Sequence, residues 1–77
     1  MAEMAYLLIR VGRATPVEVA RQVKRVPGVA GASVTMGEVD VLAVAQDEST
    51  KGLADIGRRI QAIEGVSAVS VCVVIGS

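Results

Sequence analysis

The sequence predicts a small α+β domain in which the elements follow the order β-α-β-β-α-β. Four apolar segments of strand length alternate with two segments whose apolar residues recur at helical spacing. The second half of the chain also repeats the first half after a shift of 37 residues. A length of 77 residues leaves room for one domain, so we expect residues 1–77 to fold as a single unit.

The first half begins with a strand predicted over Met4–Val11, which is apolar and contains neither Gly nor Pro. A helix is predicted to start at Thr15, because a threonine hydroxyl can accept a hydrogen bond from a free amide group at a helix start. Pro16 suits the first helical position, and Glu18 completes the pattern of a capping box. Apolar residues continue at helical spacing until Pro27-Gly28 ends the helix.

A hairpin is predicted in the middle of the chain. It joins a second strand over Val29–Met36 to a third strand over Val41–Gln46. In the turn between them, Gly37 permits a positive φ and Asp40 can accept hydrogen bonds from nearby amide groups. These two residues and Glu38 fit turn chemistry and ligand contact equally well, and the residue pattern leaves both interpretations open.

The second helix is predicted to start within Asp47-Glu48-Ser49-Thr50, which is rich in capping side chains. Its buried face consists of apolar residues at helical spacing, namely Leu53, Ile56, Ile60 and Ile63. Gly52 and Gly57 lower its helix propensity by about 1 kcal/mol each. Gly65 ends the helix, and Val66–Ile75 is predicted to be the fourth strand.

The internal repeat strengthens this assignment. A shift of 37 residues superimposes Val23–Val29 on Ile60–Val66, and Ala20 on Gly57. A small residue therefore recurs where each helix has to approach its sheet closely. Two βαβ halves of this kind predict a ferredoxin-like fold, with a four-stranded antiparallel sheet and both helices on one face.

The face of the sheet that the helices leave open is predicted to be apolar as well. In the first strand, the residues opposite Ala5, Leu7, Ile9 and Val11 are Met4, Tyr6 and Leu8. In the fourth strand, Ala68, Cys72 and Val74 lie opposite Val69, Val71, Val73 and Ile75. An apolar open face predicts a homo-oligomer in which two sheets pack together, in a dimeric α/β-barrel-type assembly. The alternative is that these are strand-forming residues with some exposure.

The charge balance and the residue types exclude several classes of function. Eight basic and eight acidic residues give a net charge of zero, which argues against direct nucleic-acid binding and against a basic membrane-surface module. No apolar run approaches the roughly 18 residues of a membrane span. The chain has no His and a single Cys, Cys72, so we expect no metal, no cofactor, no internal disulfide and a cytoplasmic setting.

The loop after the first strand, Gly12-Arg13-Ala14, forms a second polar grouping with Arg10. This composition fits a phosphate-binding loop at a helix start. An acylphosphatase, which shares the predicted fold, also has an arginine near this loop, but it needs an Asn to orient water and this chain contains none. We therefore interpret the loop as a solvated turn and predict that the chain is not an enzyme.

The segment Val34–Leu42 resembles the hairpin of the effector-binding domain of the Lrp/AsnC transcriptional regulators, which has a Gly-x-Tyr-Asp pattern between its second and third strands. Here the pattern is Gly37-Glu38-Val39-Asp40, with a valine in place of the tyrosine. The first strand, Ala5–Val11, and the helix ends at Pro27-Gly28-Val29 and Ile63-Glu64-Gly65-Val66 are similar to the corresponding segments of that family. The resemblance extends over essentially the whole chain.

This resemblance implies a non-enzymatic regulatory domain that senses a small molecule. It implies a sheet-to-sheet dimer, which family members often assemble into an octameric ring, and an amino-acid effector bound between dimers near the hairpin. Full-length regulators are an implied further partner. Since Met1 leads straight into the first strand, we expect a stand-alone domain without a DNA-binding part. The implied ligand-binding residues are Gly37, Glu38, Asp40, Val69 and Val71, the last two at positions where many members carry hydroxyl groups.

Two other functions share the predicted element order. A regulatory domain of the ACT type would bind its ligand at the glycine-containing loop between the first strand and the first helix, where Gly12 lies. An enzyme of the dimeric α/β-barrel type would bring catalytic side chains into the barrel, for which the chain offers Tyr6 and Arg10. Stacking of two sheets face to face, rather than edge to edge, distinguishes the sensing domain from the ACT type.

Overall fold

The structure, a computed structural model, describes residues 2–76. Its elements are strand β1 (Glu3–Val11), helix α1 (Pro16–Val23), strand β2 (Val29–Val34), strand β3 (Val41–Asp47), helix α2 (Thr50–Gln61) and strand β4 (Val66–Val73). This order confirms the predicted β-α-β-β-α-β arrangement. Each helix and strand lies where the residue pattern predicted one.

The four strands form one antiparallel sheet in the order β2-β3-β1-β4. The first strand lies in the interior of the sheet, so that Leu7 is opposite Ala43 on one side and Val71 on the other. The pairing of β1 with β4 shifts its register between Arg10 and Val11. This strand order is that of the predicted ferredoxin-like fold.

The core lies between the two helices and one face of the sheet. Its buried residues come from β1, β3 and both helices: Ala5, Leu7, Ile9, Val19, Ala20, Val23, Val41, Ala43, Ala45, Leu53, Ile56 and Ile60. The buried strand residues alternate along their strands and share one face, which confirms that both helices cover the same side. At α2 the approach is very close, since a Cβ on Gly57 would lie 2.6 Å from Cγ2 of Val71.

Helix α1 begins at its predicted cap, Thr15, and helix α2 begins within the predicted capping segment, at Ser49. Thr15 Oγ1 accepts a hydrogen bond from the Glu18 N–H at 3.3 Å, and Ser49 Oγ accepts one from the Gly52 N–H at 3.0 Å. The capping box predicted at α1 is only half formed. The Glu18 carboxylate does not return to the cap but accepts a hydrogen bond from Arg21 Nη1 at 2.7 Å.

Helix α1 ends at Val23, one turn before the predicted end at Pro27. The amide groups of Arg25 and Val26 donate to carbonyls three residues back, at 3.1 Å each, so the chain continues as a tighter turn. Gly28 and Gly65 follow the two helices with φ of 96° and 95°, a conformation that glycine adopts without a steric penalty.

The two edge strands are shorter than predicted. Strand β2 ends at Val34 rather than Met36, because the Thr35 N–H donates to the Asp40 carbonyl and closes the hairpin there. Strand β4 ends at Val73 rather than Ile75, although the Val74 N–H still donates to the Met4 carbonyl at 2.8 Å.

Candidate functional site

The hairpin between β2 and β3 is closed by two hydrogen bonds of Thr35. Its N–H donates to the Asp40 carbonyl at 2.9 Å, and its Oγ1 donates to the Val39 carbonyl at 2.8 Å. Gly37 has a φ of 151°, the positive value expected for it. Residues 36–38 are exposed, and Met36 is fully so. The hairpin is therefore held by hydrogen bonds at its base, and the tip of its turn is exposed.

Asp40 attaches this hairpin to the central strand. Its N–H donates to the Ile9 carbonyl at 2.9 Å, and its Oδ2 accepts a hydrogen bond from the Val11 N–H at 2.8 Å. The second bond lies at the register shift between Arg10 and Val11, where the β4 side of the ladder is irregular. Because Asp40 is half-buried and held at three points, its carboxylate has a fixed orientation.

The tip of the hairpin carries polar groups that have no hydrogen-bond partner in the described part of the chain. Within residues 2–76, none of the amide groups of residues 36–39 donates a hydrogen bond, and no hydrogen bond ends on Asp40 Oδ1. Glu38 is exposed and adds a second carboxylate. The hairpin can thus offer amide donors and carboxylate acceptors to a molecule from outside.

Val69 and Val71 lie on a different part of the surface. They pair with Ile9 and Leu7 of β1, so they point to the face of the sheet that carries the helices. With Gly57 and neighbouring residues of α2 they line a cleft of about 240 Å³ at the β4 edge. The structure brings Asp40 and Val69 to opposite sides of Ile9, whereas Val71 lies two residues farther from the hairpin along β4.

The open face of the sheet is apolar at its centre and mixed at its edges. Tyr6 and Leu8 of β1 lie beside Val44 and Leu42 of β3, and Tyr6 is 43% exposed. The fourth strand contributes only small side chains to this face: Ala68, Ser70 and Cys72. The prediction of an apolar open face is therefore correct for Met4, Tyr6 and Leu8, but the same face also carries the polar residues Arg10, Gln46 and Ser70, which the prediction did not include.

A larger cleft, of about 520 Å³, lies at the loop between β1 and α1. It is lined by Arg13 of that loop, Gln22 of α1, and Glu64 and Ser67 near the start of β4. Sequence reasoning treated the loop as a solvated turn and missed its partners. The available signal was the 37-residue repeat, which places the loops before α1 and α2 at equivalent positions of the two halves, although the antiparallel pairing of β1 with β3 puts them at opposite ends of the sheet.

Within residues 2–76, no group of three or more His, Cys, Asp or Glu side chains is placed to hold a metal ion. In the same part of the chain, no helix is long and apolar enough to cross a membrane.

Comparison with known proteins agrees with this architecture. Residues 4–77 match the family described as the Lrp/AsnC ligand binding domain. Curated protein sequences give no match. Among solved structures, TTHA0845 from Thermus thermophilus superimposes with a TM-score of 0.89 at 21% identity, over 97% of this chain and 95% of that chain.

Two transcriptional regulators are similar over about half of their length. Escherichia coli AsnC has a TM-score of 0.84 at 14% identity, and the match covers 97% of this chain and 52% of AsnC. The transcriptional regulator NMB0573 from Neisseria meningitidis, solved as a complex with L-Met, has a TM-score of 0.82 at 19% identity, covering 97% of this chain and 51% of that chain. These similarities extend to the fold of the whole domain.

Proposed function

The chain belongs to the Lrp/AsnC ligand-binding domain family, and on that premise we propose that it is a non-enzymatic, homo-oligomeric regulatory domain that binds a free amino acid at its hairpin. The observation that carries the proposal is the placement of Asp40. One carboxylate oxygen is held by the Val11 N–H, and the other is left to accept from an ammonium group. The unbonded amide groups of residues 36–39 complement a carboxylate, so the hairpin matches both ends of a zwitterion.

The apolar part of the proposed pocket comes from a neighbouring subunit. Val69 and Val71 lie at the β4 edge, away from the exposed tip of their own hairpin. A ligand between subunits would contact the hairpin of one chain and this edge of another. Val39, Val69 and Val71 then favour an aliphatic side chain, since a polar one would lose its hydrogen bonds to water without replacement. The L-Met complex of NMB0573 shows that a protein of this fold accommodates an amino acid with an apolar side chain.

The open face and the two edges of the sheet support a dimer of the barrel type. The apolar centre around Tyr6 and Leu8 would be covered by a second sheet. Strands β2 and β4 contain no charged residue and no proline, so neither edge carries the usual protection against pairing. Because β2 and β4 run in opposite directions, β2 of one copy can pair antiparallel with β4 of the other and close the barrel.

The exposed Met36 at the hairpin tip supports contacts beyond the dimer, as in an octameric ring. We further propose that the assembly is cytoplasmic and that full-length Lrp/AsnC-type regulators are its protein partners. The single cysteine, which cannot form an internal disulfide, supports the cytoplasmic setting, and the family supports the regulator partners.

A screen of the standard amino acids at millimolar concentration tests the ligand. Melting temperature and assembly size are measured for the wild type, for Asp40→Asn and for Glu48→Gln, an exposed carboxylate elsewhere. A ligand at one hundred times its dissociation constant stabilises the protein by about 2.7 kcal/mol, which a thermal-shift assay resolves. We expect leucine-like amino acids to raise the melting temperature of the wild type and of Glu48→Gln, and Asp40→Asn to lose the effect. If no amino acid changes either quantity, amino-acid sensing is wrong.

The dimer is tested by comparing the two faces of the sheet. Leu8 lies on the open face, whereas Val73 lies opposite the buried Ala5 on the helix side. We expect Leu8→Asp to give a folded monomer near 7.9 kDa in light scattering, while Val73→Asp lowers the melting temperature. Lys51→Asp, which places an aspartate on the helix layer instead, is the control and should keep the oligomer. A wild-type chain that is itself monomeric at micromolar concentration would contradict the proposed dimer.

A further inference from the structure

The cleft of about 520 Å³ beside the β1–α1 loop has walls that the fold holds in place. The Gly12 N–H donates to the Gly65 carbonyl at 2.7 Å, and Ser67 Oγ donates to the Arg10 carbonyl at 3.1 Å. Gly65 also touches Ala14 so closely that a Cβ there could not be accommodated. The loop after β1 and the loop before β4 are therefore joined, and the cleft between them exists before any ligand arrives.

The lining of this cleft carries both signs of charge. Arg13 and Glu64 are exposed, and neither forms a salt bridge within residues 2–76. Glu18 also faces the cleft, but its carboxylate is paired with Arg21 at 2.7 Å. Gln22 adds an amide that can donate and accept. One unpaired cation, one unpaired carboxylate and a neutral polar group complement a molecule that has both charges and a polar side chain.

The second half of the chain has a corresponding cleft, which is smaller because a side chain occupies part of it. After the 37-residue shift, Glu18, Gln22 and Glu64 correspond to Asp55, Arg59 and Pro27, and these three residues line a cleft of about 230 Å³. There the Asp47 side chain lies against Gly52 and occupies the space that a Cβ would need.

The shift aligns Arg10 with Asp47, but the two lie on opposite faces of the sheet: Asp47 is on the helix side, whereas Arg10 is on the open face and does not line the cleft of the first half. The space at the first loop is more than twice that at the second.

We propose that this cleft is a second binding site for a small polar zwitterion, distinct from the hairpin. Arg13 binds the carboxylate of the ligand, Glu64 binds its ammonium group, and Gln22 hydrogen-bonds its side chain. An amino acid with a polar side chain fits this lining, whereas the valine-lined hairpin pocket favours an aliphatic one.

The test uses L-glutamine as the polar probe and L-leucine as the aliphatic probe, each titrated into the full chain by isothermal calorimetry. We expect Arg13→Gln and Glu64→Gln each to weaken L-glutamine binding about tenfold or more, because each removes a charge-assisted hydrogen bond. Gln22→Phe, which fills the cleft without changing its charge, should weaken it as well. Glu48→Gln, in the loop before α2, and Lys51→Gln, in the first turn of α2, are the matched controls and should leave the affinity unchanged. Far-ultraviolet circular dichroism verifies that each variant is folded.

The hairpin variant separates the two proposals. Asp40→Asn should retain the wild-type affinity for L-glutamine, whether or not the hairpin binds L-leucine. If L-glutamine binding is lost in Asp40→Asn and kept in Arg13→Gln, the probe binds at the hairpin and the second site is wrong. Absence of L-glutamine binding by the wild type at concentrations up to about 10 mM also overturns the second site. L-leucine binding by that same protein would leave the hairpin proposal standing.

Discussion

The first βαβ half of the chain, Glu3–Val34, and the second, Val41–Val73, place a helix against an edge strand in the same way. In the first half a cleft of about 360 Å³ separates α1 from β2, and in the second a cleft of about 240 Å³ separates α2 from β4. The residues that line them match after the 37-residue shift: Val17, Ala20, Arg21, Ala32 and Val34 correspond to Ala54, Gly57, Arg58, Val69 and Val71.

The two halves differ in the sizes of the residues that the helix and the edge strand place against each other. The first half sets Ala20 of the helix against Ala32 and Val34 of the strand, whereas the second sets Gly57 against Val69 and Val71. Where the helix has the smaller residue, Gly57, the strand has the larger one, Val69 in place of Ala32, and the edge valine is less exposed, 36% at Val71 against 47% at Val34. Two different residue pairs therefore support one packing geometry.

The largest expected effect comes from the matched core residues Ile60 and Val23, which are both fully buried. Ile60→Ala should lower the free energy of unfolding by about 2–5 kcal/mol, because it removes three carbons and leaves a cavity. Val23→Ala removes one carbon fewer and should cost about 1 kcal/mol less. Urea unfolding of both variants measures the difference. Equal losses would show that the two halves do not share one packing arrangement.

A double-mutant cycle at Gly57 and Val71 tests the close contact between the helix and the edge strand. Gly57→Ala places a Cβ 2.6 Å from Cγ2 of Val71, so overpacking of about 1–3 kcal/mol should exceed the gain of about 1 kcal/mol in helix propensity. In the Val71→Ala background the clash is absent, and Gly57→Ala should become neutral or stabilising. Thermal unfolding of the four proteins gives the coupling energy. Additive effects would contradict the close contact.

The filled loop of the second half is tested at Asp47 and Gly52. Asp47 Oδ2 accepts a hydrogen bond from the Ser49 N–H at 3.1 Å, so Asp47→Ala should cost about 0.5–1.5 kcal/mol. Gly52→Ala displaces the same side chain in the wild type, but in the Asp47→Ala background it should stabilise α2 by about 1 kcal/mol. Calorimetric melting of the single and double variants provides the test, and Gly52→Ala should have the more favourable effect in the Asp47→Ala protein.

The smallest effects are expected at the matched ion pairs Glu18–Arg21 and Asp55–Arg58. Their N–O distances are 2.7 and 3.2 Å, and all four side chains are about half exposed or more. Arg21→Ala and Arg58→Ala should each change the free energy of unfolding by about 0.5 kcal/mol or less, because water and salt screen exposed pairs. Melting temperatures in low and high salt would reveal any larger contribution.

Much of the candidate site was visible in the sequence because it depends on neighbouring residues. The turn at Gly37-Glu38-Val39-Asp40 lies where the residue types predicted it, and Gly37 has the expected positive φ. The bond from Val11 to Asp40 spans 29 positions, and it required the strand order before it could be seen. The separation of Val69 and Val71 from the hairpin tip likewise depends on the face to which β4 turns those side chains.

The end of α1 illustrates the limit of local patterns. Apolar spacing continues through Val26, which is half-buried beside the core, so the sequence predicted a longer helix. After Val23, the amide groups donate to carbonyls three residues back instead of four. This tighter turn keeps Val26 on the side of the core while the chain changes direction. Periodicity reports which side chains are buried, and a tight turn can bury them as well as a helix does.

The sequence by itself determined the order of the elements, the cap at Thr15, the capping segment at residues 47–50, and the repeat that relates the two halves. Each of these arises from interactions between residues a few positions apart, or from a pattern along one segment. Only the tertiary structure decided which loop is filled and which is left open. The cleft beside Arg13 needs Glu64, far along the chain, whereas the corresponding cleft of the other half is filled by the Asp47 side chain. Such sites form where segments meet after the sheet has brought them together, and no local propensity encodes that meeting.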